Sequence, residues 1–301
     1  MRILLTGSGG QLGGDLAPLL EMAGHEVTAP RSKELDIADA AKVAAAVSAL
    51  RPDVIINAAA YTKVDLAETE MEAAAAVNTR GPENLAQAAE LHGAALVHIS
   101  TDFVFDGKKP RPYTEYDATN PLGVYGRTKL DGEDKIRYTM ERHMILRTSW
   151  LYGSGGSGGN FVKTILRLAS EREHLRVVYD QAGSPTWTTD LAGAIAGIVR
   201  SIEEGDDGAG RWGLYHYSNE GVASWYDFAV AIVEEAQRAG FPIKCNRVEP
   251  ILAFQWPTPA ERPAYSVLDK AKIKDAFGMT IPHWRSGLRA MLTELYGGGY
   301  A

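Results

Sequence analysis

The first half of the chain alternates short apolar runs with longer amphipathic stretches. The apolar runs predict strands at Arg2 to Thr6, Glu26 to Ala29, Val54 to Asn57, Leu96 to Ser100 and Met144 to Thr148. Apolar residues spaced three and four apart predict the intervening helices, at Gln11 to Met22, Ala38 to Leu50, Met71 to His92 and Tyr125 to Glu141. Strands that alternate with helices in this way predict an α/β fold class with a doubly wound, parallel, Rossmann-type sheet.

The second half has a less regular pattern, which predicts a smaller mixed α/β substrate domain at the C-terminus. The predicted elements are a helix at Asn160 to Arg172, a strand at Leu175 to Tyr179, a helix at Asp190 to Ser201, a polar turn at Gly205 to Gly210, a helix at Ser224 to Ala239 and two terminal helices. We expect residues 1–150 to form a dinucleotide-binding domain, joined by a returning strand and helix near residues 175–200. Residues 151–301 would mainly bind substrate. The glycine-rich run at Gly153 to Gly159 is a loop over the site, a hinge or a plain surface loop.

Composition narrows the functional classes. The 301 residues carry a formal net charge of -7, which gives no basic field for a nucleic acid backbone. The single cysteine, Cys245, allows no internal disulfide, and no apolar run reaches the length of a membrane span. The N-terminus has a strand pattern and not that of a signal peptide. We therefore expect a cytoplasmic monomer or homodimer with no nucleic acid or membrane partner.

A glycine-rich segment follows the first strand and opens the first helix. In this position Gly7 permits a tight turn, Gly10 lets the backbone approach a pyrophosphate, and Gly13 permits close helix packing. The backbone N–H groups at Gln11 and Leu12 begin the helix, whose dipole favours an anion. Glycines also make ordinary turns, but the strand-loop-helix context favours dinucleotide binding.

The residues after the second and third strands bear on the cofactor. After the second strand no acidic residue comes before Glu34, and Arg31 could bind a ribose 2′-phosphate, so NADPH is favoured over NADH unless Arg31 belongs to a solvated basic turn. Asp36 and Ile37 would lie near the adenine, although Asp36 could instead cap the helix that starts at Ala38. Small side chains at Ala58, Ala59 and Ala60 leave room for a flat cofactor, or serve tight packing.

Three residues provide the chemistry of carbonyl reduction. Tyr125 and Lys129 are four apart on one helix and therefore adjacent, so Lys129 should lower the pKa of the Tyr125 phenol and hold the nicotinamide ribose. Thr101 lies at the carboxyl end of the fourth strand, the edge where such sheets bind ligands, and could donate to a carbonyl oxygen. An exposed tyrosine-lysine pair and a simple turn are the alternatives.

These stretches resemble the extended short-chain dehydrogenase/reductases. The resemblance also covers Asn57 to Asp65, Ser100 to Gly107, Arg147 to Gly153, Asp180 to Thr186 and Arg262 to Asp269. It implies that NADPH, with NADH also possible, reduces the C4 carbonyl of dTDP-6-deoxy-L-lyxo-4-hexulose to give dTDP-L-rhamnose, with Tyr125 as proton donor. The implied cofactor contacts are Gly10, Gln11, Leu12, Asp36, Ile37, Ala58, Ala59, Ala60 and Lys129. The implied substrate contacts are Thr62, Val64, Thr101, Asp102, Phe103, Val104 and Trp150.

Several alternatives stay open within this resemblance. Some relatives form a magnesium-linked dimer through acidic residues after the segment Ser184 to Thr186, but here Trp187 to Thr189 follow, so magnesium is left open and no metal ligand is predicted. A 4,6-dehydratase would need a glutamate where Phe103 stands. A 4-epimerase would retain its NAD. A non-catalytic relative, the regulatory subunit of methionine adenosyltransferase, has the same fold and acts by binding a partner.

Overall fold

The computed structural model describes residues 1–156, 158–205 and 211–297. The strands in these residues are β1 (Arg2–Thr6), β2 (Glu26–Thr28), β3 (Val54–Asn57), β4 (Ala95–Thr101), β5 (His143–Thr148), β6 (Leu151–Tyr152), β7 (His174–Val178), β8 (Ala182–Gly183), β9 (Thr186–Trp187), β10 (Gly213–His216), β11 (Ala223–Ser224) and β12 (Arg247–Ile251). The helices are α1 (Gln11–Met22), α2 (Ala40–Leu50), α3 (Val64–Ala67), α4 (Met71–Ala75), α5 (Gly81–His92), α6 (Val124–Thr139), α7 (Phe161–Glu171), α8 (Thr188–Glu203), α9 (Trp225–Arg238), α10 (Ala271–Phe277) and α11 (Trp284–Gly297). A π-helical turn, Ala76–Arg80, joins α4 to α5. Most of the predicted turn at Gly205 to Gly210 lies outside the described residues.

A six-stranded parallel sheet forms the centre of the fold, in the order β10-β5-β4-β3-β1-β2. Every residue of β3, β4 and β5 is buried, as expected for strands covered on both faces. Helices α1 and α8 pack on one face through Leu16 and Ile195, and α2, α5 and α6 pack on the other through Val43, Leu85 and Ile136. The predicted doubly wound, Rossmann-type sheet is confirmed.

The strand predicted at Leu175 to Tyr179 does not return to this sheet. It forms β7, which pairs in parallel with β12 in a separate two-stranded sheet, and β10 takes the sixth position beside β5. Leu175 and Val177 are buried, but Arg176 between them is exposed. The inner strands β3, β4 and β5 of the main sheet are buried on both faces, whereas this alternation suits a sheet with one open face. Helix α8, in contrast, does pack against α1.

A second hydrophobic core lies beyond the main sheet. It contains Val162 of α7, Phe228 of α9 and Leu288 of α11, together with Leu175 and Val177 of β7. Trp150, two residues after the end of β5, packs against this core, so the second core begins close to where the main sheet ends. None of the helices in the described part of the chain combines the length and apolarity needed to cross a membrane.

Candidate active site

The loop between β1 and α1 has the backbone geometry of a phosphate cradle. Gly7 has φ of 79°, and a Cβ there would lie 2.5 Å from the carbonyl carbon of Ala58. A Cβ on Gly13 would lie 2.3 Å from the Gly7 carbonyl oxygen, so both positions require glycine. Gly10 begins α1 without a side-chain cap, which leaves the first backbone N–H groups of the helix available to an anion. Leu12 is buried in the core, so only its backbone is available there.

The segment after β2 lies next to this loop. The Ser8 hydroxyl donates to the Pro30 carbonyl oxygen over 3.1 Å, and the Arg31 side chain beside it is exposed. Asp36 is exposed and accepts a hydrogen bond from the Ala38 N–H, but the residue that caps α2 is Asp39. Ile37 is buried against Gly81 at the start of α5, so its side chain belongs to the core.

Helix α6 carries Tyr125 to the end of β4. The Glu68 carboxylate accepts the Val124 N–H over 2.8 Å, in the space that a side chain at Gly123 would occupy. A Cβ on Gly126 would lie 2.2 Å from the Phe103 carbonyl oxygen, so the glycine of the Tyr125 to Lys129 motif permits this close approach.

The hydroxyl of Thr101 lies close enough to that of Tyr125 to affect its pKa. Thr101 donates to Asp102 Oδ1 over 3.2 Å and accepts the Phe103 N–H over 3.2 Å. The Phe103 ring meets the Tyr125 ring edge to face, with centroids 5.5 Å apart. Two hydroxyl groups thus lie near each other at the carboxyl edge of the sheet, where one ligand oxygen could contact both.

The protonation of this group is governed by burial. Burial raises the pKa of Tyr125 to about 12, the Asp102 carboxylate adds to the rise, and the neighbouring Thr101 hydroxyl opposes it. Burial also raises the pKa of Asp102 to about 6 and lowers that of Lys129 to about 8. Lys129 is not among the groups that shift the pKa of Tyr125 here, and its Nζ donates to the Ile99 carbonyl oxygen over 2.6 Å.

The residues predicted to bind the substrate differ in how exposed they are. Thr62 is exposed and Val64 is half-buried at the start of α3. Trp150 has φ of 49°, a strained value for a bulky residue, and its indole stacks on Trp225 with centroids 3.4 Å apart. Val104 is fully buried against Phe105 and Tyr113, so its side chain supports the turn after β4 from within the core and does not line a pocket as we expected.

Our sequence analysis missed two polar residues under the site, Asn57 and His98. Asn57 Nδ2 lies 3.0 Å from His98 Nδ1, and His98 Nε2 lies 3.3 Å from Lys129 Nζ. In the sheet, Thr6 is in register with Asn57 and Asn57 with His98. Polar residues at aligned positions of otherwise apolar, buried strands were the signal that could have identified them.

The late motif from Arg262 to Asp269 joins separate parts of the fold around the site. Arg262 forms a two-pronged ion pair with Asp65 of α3, with N–O distances of 3.0 and 2.9 Å. The Tyr113 N–H donates to the Val267 carbonyl oxygen, and the Ser266 N–H donates to that of Ala182. The motif therefore connects α3, the segment after β4 and β8.

A metal site is a separate question. Among the residues that the structure describes, no group of three or more His, Cys, Asp or Glu side chains is placed to hold a metal ion. Thr188 and Thr189, which follow the segment Ser184 to Thr186, donate to Asp15 of α1.

The comparisons with known proteins agree over the whole chain. The sequence matches the protein family described as "RmlD substrate binding domain" over residues 1–296. It is 45% identical over 289 residues to the dTDP-4-dehydrorhamnose reductase of Aggregatibacter actinomycetemcomitans, which covers 96% of this chain and 97% of that protein. It is 43% identical over 302 residues to the dTDP-4-dehydrorhamnose reductase of Escherichia coli strain K12, with 98% of each covered. The structure matches that of dTDP-4-dehydrorhamnose reductase from Bacillus anthracis in complex with NADP, with a TM-score of 0.89, 38% identity, and coverage of 97% of this chain and 99% of that one.

Proposed function

The chain belongs to the family of the RmlD substrate binding domain, and from this premise we propose that it is a dTDP-4-dehydrorhamnose reductase. It reduces the C4 carbonyl of dTDP-6-deoxy-L-lyxo-4-hexulose with NADPH and gives dTDP-L-rhamnose. The observation that carries this proposal is that Thr101 and Tyr125 lie side by side at the carboxyl edge of the sheet.

The protonation of the site suits the direction of reduction. With a pKa of about 12, Tyr125 keeps its proton at neutral pH and can donate it to the sugar oxygen as negative charge develops there. Thr101 donates a hydrogen bond to the same oxygen and stabilises that charge. When bound, the nicotinamide supplies the hydride. Lys129 lies one helical turn from Tyr125 and would hold the nicotinamide ribose.

The chain has the residues that this cofactor needs. The loop from Gly7 to Gly13 would hold the pyrophosphate, because its glycines leave no side chain in the way and α1 begins uncapped. Ala58, Ala59 and Ala60 are half-buried small residues that would lie against the flat rings. Arg31 is exposed next to this loop and would pair with the 2′-phosphate, which favours NADPH over NADH.

The sugar would lie over the two hydroxyls. Thr62 and Val64 would contact it from the α3 side, and Phe103 from the turn after β4. Trp150 would form a wall, since its stacking on Trp225 fixes the plane of the indole. The Asp102 carboxyl lies beside Thr101 and would contact the sugar from there.

One assay tests the proposal directly. Purified protein is mixed with NADPH and enzymatically generated dTDP-6-deoxy-L-lyxo-4-hexulose, and the loss of nicotinamide absorbance is followed. We expect Tyr125→Phe to bind NADPH normally and to lose roughly 10²-fold or more in kcat, the usual contribution of a general acid. Tyr138→Phe is the matched control, because Tyr138 is on the same helix but 88% exposed. Absence of NADPH consumption by the wild type, or a wild-type rate in Tyr125→Phe, would contradict the proposal.

The same assay separates the alternatives. A 4-epimerase would consume no NADPH overall, and a regulatory subunit would show no turnover. A dehydratase lacks support, because Phe103 stands where its glutamate is needed. Replacing NADPH by NADH should lower the rate, and a chelator should leave it unchanged.

A further inference from the structure

A continuous row of buried polar side chains runs under the site from β1 to α6. Thr6, Asn57, His98 and Lys129 are each at most 2% exposed. The Thr6 hydroxyl donates to Asn57 Oδ1 over 2.8 Å, and the contacts from Asn57 to His98 and from His98 to Lys129 continue the row. Buried polar groups are costly unless they are paired, so such a row needs a physical account. Only Lys129 has a place in the reduction described above.

The backbone fixes the direction of these hydrogen bonds. The Ala59 N–H donates to Asn57 Oδ1 over 3.1 Å, so this oxygen faces the backbone and the amide nitrogen faces His98. Because an amide nitrogen only donates, Nδ1 of His98 must accept. Burial, assisted by the nearby charge of Lys129, holds the pKa of His98 well below its usual value, so the ring is neutral. A neutral ring that accepts at Nδ1 has its proton on Nε2, which faces Lys129.

Two donors therefore meet between His98 and Lys129. An ammonium group has only N–H bonds to present, whereas a neutral amine has a lone pair that can accept the Nε2–H. The contact thus favours the amine. On the same helix, Glu133 favours the ammonium, but its carboxylate is already paired with Arg147 of β5. Tyr125, one turn before Lys129, is neutral at physiological pH.

We propose that Asn57 and His98 are positioning residues for Lys129. Asn57 fixes the Nε2–H tautomer of His98. That N–H orients the Lys129 amino group and disfavours its protonated form. The inference rests on the proposed function in that Lys129 there serves the cofactor and the proton donor. A lysine with an ordinary pKa of about 10.4 would stay charged throughout the working pH range. Burial lowers the pKa of Lys129 to about 8, and the Nε2–H of His98 adds to this effect, so Lys129 can change its charge within that range.

Substitution of Asn57 tests this directly. Asn57→Asp replaces the donor with an acceptor, so His98 should move its proton to Nδ1 and turn an Nε2 lone pair toward Lys129. The ammonium is then favoured, and we expect the titration midpoint of Lys129 to rise by about one pH unit or more. Asn57→Ala removes the amide without adding charge and should shift the midpoint in the same direction. The midpoint is read from the ¹³Cε resonance of labelled lysine, identified by its loss in Lys129→Arg. An unchanged midpoint in both folded variants overturns the proposal.

A second measurement needs no variant. The ¹⁵N shifts of the His98 ring in the wild type report its tautomer, and the proposal requires a protonated Nε2. A protonated Nδ1 overturns it. His143→Asn is the matched control, because His143 is another buried histidine of the sheet, and among the described residues its ring has a hydrogen bond only with the Met140 carbonyl oxygen. A comparable shift of the Lys129 midpoint in that variant would show that the effect is not specific to His98.

The kinetic readout separates this inference from the proposed function. If the wild type turns over, the alkaline limb of its kcat profile should move to higher pH in Asn57→Asp, together with the NMR midpoint. If the wild type shows no turnover, the proposed function fails while the NMR titration still decides the inference. If turnover is present but neither the alkaline limb of the kcat profile nor the titration midpoint of Lys129 moves, the inference alone fails.

Discussion

Two neighbouring glycines of α1 should differ strongly in their effect on cofactor binding and stability. Gly13→Ala places a Cβ 2.3 Å from the Gly7 carbonyl oxygen, and backbone cannot yield as a flexible side chain does. We expect at least a roughly tenfold weaker affinity for NADPH and a loss of about 1–3 kcal/mol in the free energy of unfolding. Gly14→Ala is the control, since no atom lies within 4 Å of its Cβ position and alanine is the better helix former. Fluorescence titration with NADPH should separate the two variants. Equal affinities would contradict this account of the loop.

Thr101 is the second test at this scale. Thr101→Val keeps the branched shape in the buried strand end and removes only the hydroxyl. Because that hydroxyl should act on charge that exists only in the transition state, we expect kcat to fall roughly 10²-fold with little change in KM. Thr101→Ser restores the donor and should recover most of the rate. A Val variant that retains wild-type kcat would remove Thr101 from the chemistry.

At the scale of elements, a buried ion pair fixes α6 against β4 and β5. Glu133 accepts from the Ser100 hydroxyl of β4 and from Nε and Nη2 of Arg147 of β5, at N–O distances of 2.9 and 2.6 Å. Glu133 and Arg147 are 0% and 2% exposed. The pair thus fixes the position of α6, which carries Tyr125 and Lys129, relative to the sheet.

Glu133→Gln should therefore be strongly destabilising, because it leaves the Arg147 charge buried without its anion. We expect a loss of about 3–5 kcal/mol in the free energy of unfolding by denaturant. Glu83→Gln is the matched control, since Glu83 of α5 pairs at the surface with Lys135, which lies on α6 as Glu133 does. This substitution should lower the free energy of unfolding by about 1 kcal/mol or less. Similar losses in both variants would mean that burial of the pair does not matter.

The elements also show what the sequence could and could not predict. Strands β1 and β3 and helix α1 begin and end where we predicted, because buried strands and amphipathic helices leave local patterns. Strand β10 reads Gly-Leu-Tyr-His and so has only two apolar residues, whereas β3 has three in succession, so β10 has little local signal. The partner of a strand is not a local property, which is why β7 was assigned to the wrong sheet. The same holds in the site: the spacing of Tyr125 and Lys129 is local, whereas the contact of Lys129 with His98 spans 31 residues of chain.

At the scale of the whole molecule, the site depends on segments that are far apart in sequence. Asp65 and Arg262 form an ion pair across 197 positions, and this pair fixes α3, which begins with Val64, against the late motif.

His216 of β10 has a similar linking role. Its Nδ1 lies 3.0 Å from the Tyr113 carbonyl oxygen, and its backbone N–H donates to Glu115. His216 is fully buried, and this burial, aided by the charge of Arg147, lowers its pKa to about 3.

This buried neutral histidine should make the whole fold sensitive to acid. In the unfolded chain His216 has an ordinary pKa of about 6.5, so below that pH the unfolded state binds a proton that the folded state does not. Stability is then lost as the pH falls from 6.5 toward 3, by about 1.4 kcal/mol per pH unit for this residue. His216→Gln removes the titrating group, so its free energy of unfolding should fall less steeply between pH 6.5 and pH 4, by about 3 kcal/mol in total. His174→Gln, at a histidine whose side chain is 43% exposed, should leave the slope nearly unchanged. Denaturant unfolding at several pH values measures these slopes, and a wild-type slope in His216→Gln would show that the acid sensitivity arises elsewhere.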